Sequence, residues 1–188
     1  TLLTGIIEAD ETFIGGKAKN MHKSVKEQKI QGRGAVGKAV VLGAKMRGGD
    51  VRLVHEKNTT RETLHAFIKA KIADEAECIM TDEFPAYEGI ADADTRHEKV
   101  NHSKGEYVRY DVNGDIHTNG MENVWSLFKR SIVGAYHQIS DKHLDRYLDE
   151  MEFRFNNRNN PYIFRDTLLK LIASDNLEYK ELIKEETT

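Results

Sequence analysis

The pattern of apolar and polar positions predicts strands in the first half of the chain and helices in the second. Gly5-Ile6-Ile7-Glu8-Ala9-Asp10-Glu11-Thr12-Phe13-Ile14 reads as a strand that stops at Gly15-Gly16. Residues 39–44 and 51–55 read as two more, joined across Arg47-Gly48-Gly49-Asp50, a glycine pair that argues for a hairpin. Thr59-Thr60-Arg61-Glu62 is a capping-box signature, and Leu64, Phe67, Ile68 and Ile72 continue at helical spacing to about Ala73. Cys78-Ile79-Met80, ending at Thr81-Asp82, has the short apolar run of a central strand buried on both faces. A weaker strand is expected near residues 97–102, and Val112-Asn113-Gly114-Asp115 reads as a tight turn. Thr118 is the expected cap of a helix whose apolar face is Met121, Val124, Trp125 and Phe128. Ser140 is the expected cap of another, with Leu144, Tyr147, Leu148, Met151 and Phe155 on one stripe. That helix stops at Asn156-Asn157-Arg158-Asn159-Asn160-Pro161. A last short helix over about 162–173 leads into a polar tail.

Composition narrows the class. At 188 residues, 39% hydrophobic and 31% charged, the chain suits a single domain with its own core. No apolar run approaches a membrane span, and no basic-then-apolar signal peptide opens the sequence. A single cysteine, Cys78, excludes an internal disulfide and a multi-cysteine zinc site, and core packing is its expected role. A soluble, cytoplasmic domain with no membrane partner is therefore expected. The net charge of −3 does not advertise a nucleic-acid binder. Residues 17–38 do so locally, with Lys17, Lys19, Lys23, Lys26, Lys29, Arg33 and Lys38 against the single acid Glu27. This segment reads as an exposed basic loop able to follow a phosphate backbone, or as plain solubility charge.

Three acids stand out by position. Asp10 interrupts an apolar strand, Asp82 follows a buried one, and Glu122 opens the helix carrying Trp125. If the first and fourth strands are neighbours, two carboxylates meet at one end of the sheet, an arrangement that needs a compensating cation. Hard cations such as Mg²⁺ take oxygen ligands of this kind. Lys129 lies two helical turns after Glu122 and shares its face, which suits a phosphodiester substrate. The plain alternative is a solvated Glu–Lys face. Trp125 reads as core rather than as a base-stacking platform, and His97, His102 and His117 match no zinc spacing.

These residues resemble a family. Ile7-Glu8-Ala9-Asp10-Glu11-Thr12 with Gly15-Gly16-Lys17, Thr81-Asp82-Glu83-Phe84-Pro85-Ala86-Tyr87, and the block from His117 to Arg130 followed by Gly134-Ala135-Tyr136-His137 are similar to the catalytic domain of bacterial insertion-sequence transposases of the DDE superfamily. The resemblance runs from about residue 5 to residue 158. It implies an α/β, ribonuclease H-like and integrase-like mixed sheet: three antiparallel strands, then a parallel strand, helices on both faces, and extra C-terminal helices. It implies a catalytic domain over 1–175 with the basic loop inserted, a polar tail over 176–188, and an N-terminal DNA-binding module outside this chain.

The resemblance also assigns roles. Asp10, Asp82 and Glu122 become catalytic acids holding two Mg²⁺ or Mn²⁺ ions, with Asn119 the less favoured third ligand. Lys129 becomes the basic partner, and Lys17, Lys19, Lys23, Lys129 and Arg130 contact DNA. The implied activity is metal-dependent cleavage and strand transfer of double-stranded DNA by a homodimer in the bacterial nucleoid. A catalytically silent DNA-binding relative and a nuclease without strand transfer are the rival readings.

Overall fold

The computed structural model describes residues 1–15, 37–91, 94–101, 108–111, 114–176 and 178–182. Lys17, Lys19 and Lys23 of the basic segment, His102, and residues 112–113 of the expected turn lie outside them.

Five strands form one sheet: β1 (Ile6–Ile14), β2 (Ala39–Met46), β3 (Val51–Glu56), β4 (Cys78–Thr81) and β5 (Arg96–Lys99), in the spatial order β3-β2-β1-β4-β5. The first three are antiparallel, and β4 and β5 are added parallel. The β2–β3 hairpin closes as expected at Gly48, whose φ of 72° needs no Cβ to accommodate. A parallel addition needs a crossover, supplied by α1 (Arg61–Lys71). The cap of α1 sits one residue later than the sequence signature suggested. Asn58 Oδ1 accepts the Thr60 N–H at 3.1 Å, so Thr60 rather than Thr59 presents its hydroxyl to the Thr63 N–H. β5 is also displaced, starting at Arg96 and ending before Val100. A separate hairpin, β6 (Arg109–Asp111) with β7 (Gly114–Ile116), flanks the expected turn.

Helices cover both sheet faces, as the sequence implied. On one side α1 packs Leu64, Phe67 and Ile68 against Ile7, Ala9, Leu42 and Ile79. On the other, α2 (Asn119–Ser131) and α3 (Leu144–Asn156) pack Met121, Trp125, Phe128, Leu148 and Phe155 against Ile14, Val41, Val51 and Leu53. Cys78 lies in a smaller cluster with Met80, Val100 and Ile116, a core position as expected. Edge strand β3 is sealed by side chains of α3. Asn156 accepts the Val51 N–H at 2.8 Å and donates to the Val51 carbonyl at 3.1 Å, while Glu152 accepts the Leu53 N–H at 3.0 Å. Two side chains thus imitate a strand and close an edge that would otherwise invite pairing. The C-terminal helices α4 (Ile163–Ala173) and α5 (Tyr179–Leu182) follow, and α4 buries none of its residues. Among the described residues no helix is long and apolar enough to cross a membrane.

Neither Thr118 nor Ser140 caps through its side chain. At Thr118 the reason is tertiary: the Met121 N–H of the first α2 turn donates instead to Glu8 Oε2 of β1, at 3.0 Å.

The close approach of α2 to the sheet depends on Gly43. A Cβ there would lie 2.3 Å from Met121 Cε and 2.6 Å from the Trp125 ring. Gly43→Ala should therefore lower the urea midpoint with an unchanged slope, a loss of about 1–3 kcal/mol from overpacking. A midpoint at or above that of the parent would show that the helix is free to shift.

Candidate active site

Alternation along β1 sends its acids to opposite faces. Asp10 faces α2, where its Oδ2 accepts the Trp125 Nε1–H at 2.9 Å. Trp125 is 5% exposed and belongs to the core, so the indole packs with its body and orients Asp10 with its polar edge. Glu11 points to the α1 side, where the Tyr87 hydroxyl donates to Glu11 Oε2 at 2.9 Å. β1 pairs with β4 through Ile6–Cys78, Ile7–Ile79 and Glu8–Met80. Continued by two residues, that parallel register brings Asp10 level with Asp82, just beyond the end of β4 at Thr81. β1 itself runs on to Ile14, past its last described pairing with β4 at Glu8 and past the point where Asp82 leaves the sheet. Asp82 Oδ1 accepts the Phe84 N–H at 2.9 Å, an Asx-type turn that directs the chain into the 3₁₀ turn Pro85–Tyr87. Thr81 Oγ1 and His97 Nε2 lie 2.9 Å apart behind it.

The acids feel one another. Burial first, then the charge of Asp82, pushes the Asp10 carboxyl up from 3.8 to about 6; the Trp125 hydrogen bond opposes this and Glu122 adds to it. Burial, then Asp82 and then Asp10, raise Glu11 from 4.5 to about 7, with the Tyr87 hydrogen bond working against them. Four carboxyls, Asp10, Glu11, Asp82 and Glu122, therefore share one field at the open end of the β1–β4 pair. Among the described residues no group of three or more His, Cys, Asp or Glu side chains is placed so that it could hold a metal ion together. The donors nonetheless suit a hard cation, being carboxylate oxygens held in a partly dry, like-charged environment.

The remaining sequence candidates separate by place. Glu122 is exposed in the first turn of α2, and Asn119 is exposed at its first residue. Lys129 and Arg130 are exposed in its last turn, roughly 10 Å along the axis from Glu122 at 1.5 Å per residue. His97 is lowered to about 4, chiefly by burial, so it is neutral at physiological pH. Glu11 and Glu8 escaped the sequence reading. The Asp10-Glu11 pair offered a signal, because adjacent acids in a strand put a carboxylate on each face. Glu8 offered none, because its partners come from remote segments.

A family model of the ISXO2-like transposase domain matches residues 2–156. A transposase-like protein of Haemophilus influenzae is 29% identical over 100 residues, covering 53% of this chain and 76% of its own length. A protein in transposable element ISH50 of Halobacterium salinarum is 31% identical over 160 residues, covering 81% of this chain. The match takes in 52% of the Halobacterium protein, so this chain spans about half of that relative. Among solved structures, the HTLV-2 integrase catalytic core domain in complex with magnesium aligns with 84% of this chain and 88% of its own, at TM-score 0.45 and 16% identity. The simian T-cell lymphotropic virus intasome in complex with the PP2A regulatory subunit B56 gamma aligns with 81% of this chain and 48% of that chain, again at TM-score 0.45 and 16% identity.

Raised acid pKa values have a definite sign in stability. Between the free-chain values of 3.8 and 4.5 and the folded values of about 6 and about 7, the folded protein holds protons that the unfolded chain has released. This contribution is complete below the free-chain values and is lost as pH rises through 6 to 7. In chelator, thermal stability should therefore fall across that window. Asp10→Asn, which keeps an acceptor for Trp125, should be more stable than the parent at pH 7.5 by up to about 3 kcal/mol. A destabilised Asp10→Asn at that pH, with the same pH profile as the parent, would contradict the electrostatic account.

Proposed function

Because the chain belongs to the ISXO2-like transposase domain family, we propose that it is the catalytic part of a DNA transposase in which Asp10, Asp82 and Glu122 hold two Mg²⁺ or Mn²⁺ ions. The observation that supports this reading is the parallel β1–β4 register, which, continued past the end of β4, brings Asp10 level with Asp82, where burial and mutual repulsion leave Asp10 short of a cation. When bound, such ions supply charge neutralisation, a more acidic attacking hydroxyl and stabilisation of the leaving oxygen in an in-line displacement at phosphorus.

The protein's own residues do the positioning. Trp125 Nε1–H fixes one oxygen of Asp10, and the Phe84 N–H fixes one of Asp82. Glu122 supplies the third carboxylate from the first turn of α2, ahead of Asn119 because a carboxylate holds Mg²⁺ more strongly than an amide. Tyr87 steadies Glu11 on the opposite face, keeping that acid from swinging freely beside Asp82. Lys129 and Arg130 meet the phosphates of double-stranded DNA, and Lys17, Lys19 and Lys23 extend the contact along the backbone. A homodimer holding two DNA ends in the bacterial nucleoid is the working assembly.

Strand cleavage and strand transfer on an end-labelled duplex, with Mg²⁺ or Mn²⁺ against chelator, test the reading. Asp10→Asn, Asp82→Asn and Glu122→Gln should each lose both activities by about 10³-fold or more while still binding DNA. Asn119→Ala should retain most of the rate; the reverse ranking of Glu122 and Asn119 would exchange the third ligand. Near-parental cutting by Asp10→Asn or Asp82→Asn would refute the site. Cleavage without joining would leave a nuclease, and binding without either would leave a silent DNA-binding protein.

The basic residues should divide by what they affect. Lys129→Ala should depress the chemical step more than DNA affinity. The Lys17, Lys19 and Lys23 triple Ala variant should weaken binding alike across sequences, with the salt slope falling by about 0.9 per lost phosphate contact. An unchanged slope would return that segment to plain solubility charge.

A further inference from the structure

Glu8 is 1% exposed, and none of the chemistry above uses it. It lies two residues before Asp10 on β1 and faces the same helix. Glu8 Oε2 accepts the Met121 N–H at 3.0 Å, while Asp10 Oδ2 accepts the Trp125 Nε1–H at 2.9 Å. Met121 and Trp125 are one turn apart on α2, so two carboxylates of one strand grip two successive turns of one helix. Glu122 is the residue next to Met121.

Glu8 is itself held. Arg47 Nε donates to Glu8 Oε1 at 3.1 Å. The same guanidinium donates to the Asp115 carbonyl at 2.6 Å and the His117 carbonyl at 3.3 Å, tying down the segment that enters α2. His117 Nδ1, buried without a hydrogen-bond partner, lies 3.4 Å from Glu8 Oε1, and Lys45 is the cross-strand neighbour of Glu8 on β2. Gly120 completes the clasp: a Cβ there would lie 2.6 Å from Glu8 Oε2 and 3.1 Å from Glu8 Cδ. A buried ion pair adds little stability over apolar packing of the same volume, so stability alone does not account for a charge placed here. A carboxylate locked at both oxygens does specify where a helix terminus sits.

We propose that Glu8 is a positioning residue: clamped by Arg47 and capping the first turn of α2 across Gly120, it sets Glu122 opposite Asp10. The role rests on the reading of Asp10, Asp82 and Glu122 as the metal-holding acids. Supporting groups of this kind typically cost 10–100-fold in metal affinity when removed.

Gly120→Ala is the discriminating variant, because it deletes no ligand and no charge. Alanine favours the helix over glycine, which offsets a weakened cap, so the thermal midpoint should stay within a few degrees. Trp125 is the single tryptophan and donates to Asp10, so its emission reads Mn²⁺ binding directly. Half-saturation by Mn²⁺ should move up at least tenfold in Gly120→Ala and in Glu8→Ala, with DNA affinity unchanged. Glu8→Gln, which keeps an acceptor for Met121, should fall between them and the parent. Parental Mn²⁺ half-saturation in Gly120→Ala and Glu8→Gln would overturn the proposal and make Glu8 a simple structural cap. If the parent itself neither binds Mn²⁺ nor cuts DNA, the functional reading fails, and hydrogen exchange of the metal-free protein decides the positioning separately. A Met121 amide exchanging about tenfold faster in Gly120→Ala would leave Glu8 as a cap of α2 with no metal to position, and an unchanged rate would overturn the clamp itself.

Discussion

The indole of Trp125 reaches Asp10 because Gly43, directly opposite Asp10 on the neighbouring strand, has no side chain. That one vacancy lets α2 lie against the sheet closely enough for Met121 and Trp125 to enter the core, and for the Trp125 N–H to meet a carboxylate. Everything at the open end of the β1–β4 pair inherits its geometry from this contact. Glu122 and Lys129 share the exposed side of α2, so their height above the sheet is set by how closely the buried side docks. α3 packs beside α2 in the same cluster and seals β3 with Glu152 and Asn156, which fixes the far border of that layer.

The price of the arrangement is electrostatic. Asp10 and Glu11 are both pushed toward neutrality by burial and by Asp82, on opposite faces of one strand. A fold selected for stability alone would not gather carboxyls this way, because each ionised form is penalised by the others. Glu8 shows the contrast within the same strand. More buried than Asp10, it is matched by Arg47, by a helix N–H and by neighbouring Lys45. One acid is fully partnered inside the protein, and its neighbour two residues on is left to find part of its compensation elsewhere. Local rules are broken where function is proposed and observed where the scaffold is built.

Periodicity was a good guide to elements and a poor one to their ends. Three β-strands, a helical crossover and a buried fourth strand were legible because apolar spacing of two and of 3.6 residues reflects which side meets the core. The caps were not. Asn58 moved the start of α1 by one residue, and Glu8, over a hundred residues away in sequence, took the place of the Thr118 side chain at the start of α2. Capping signatures describe local hydrogen bonds, and a better acceptor from another element overrides them.

Sequence alone determined the order of the five sheet strands and of the main helices, the family to which the chain belongs, and, through the resemblance, the three acids proposed to hold metal, because these depend on residue type and local spacing. Tertiary structure decided which face each acid takes, that Glu11 and Tyr87 form a pair behind Asp10, and that Gly43 and Gly120 are places where a side chain has no room. It also decided that Glu8 and Arg47 tie β1 to the start of α2. The physical reason is range. Alternation and helical period are properties of neighbours along the chain, whereas burial, repulsion between carboxyls and the closeness of a helix to a sheet exist only once distant segments are packed together.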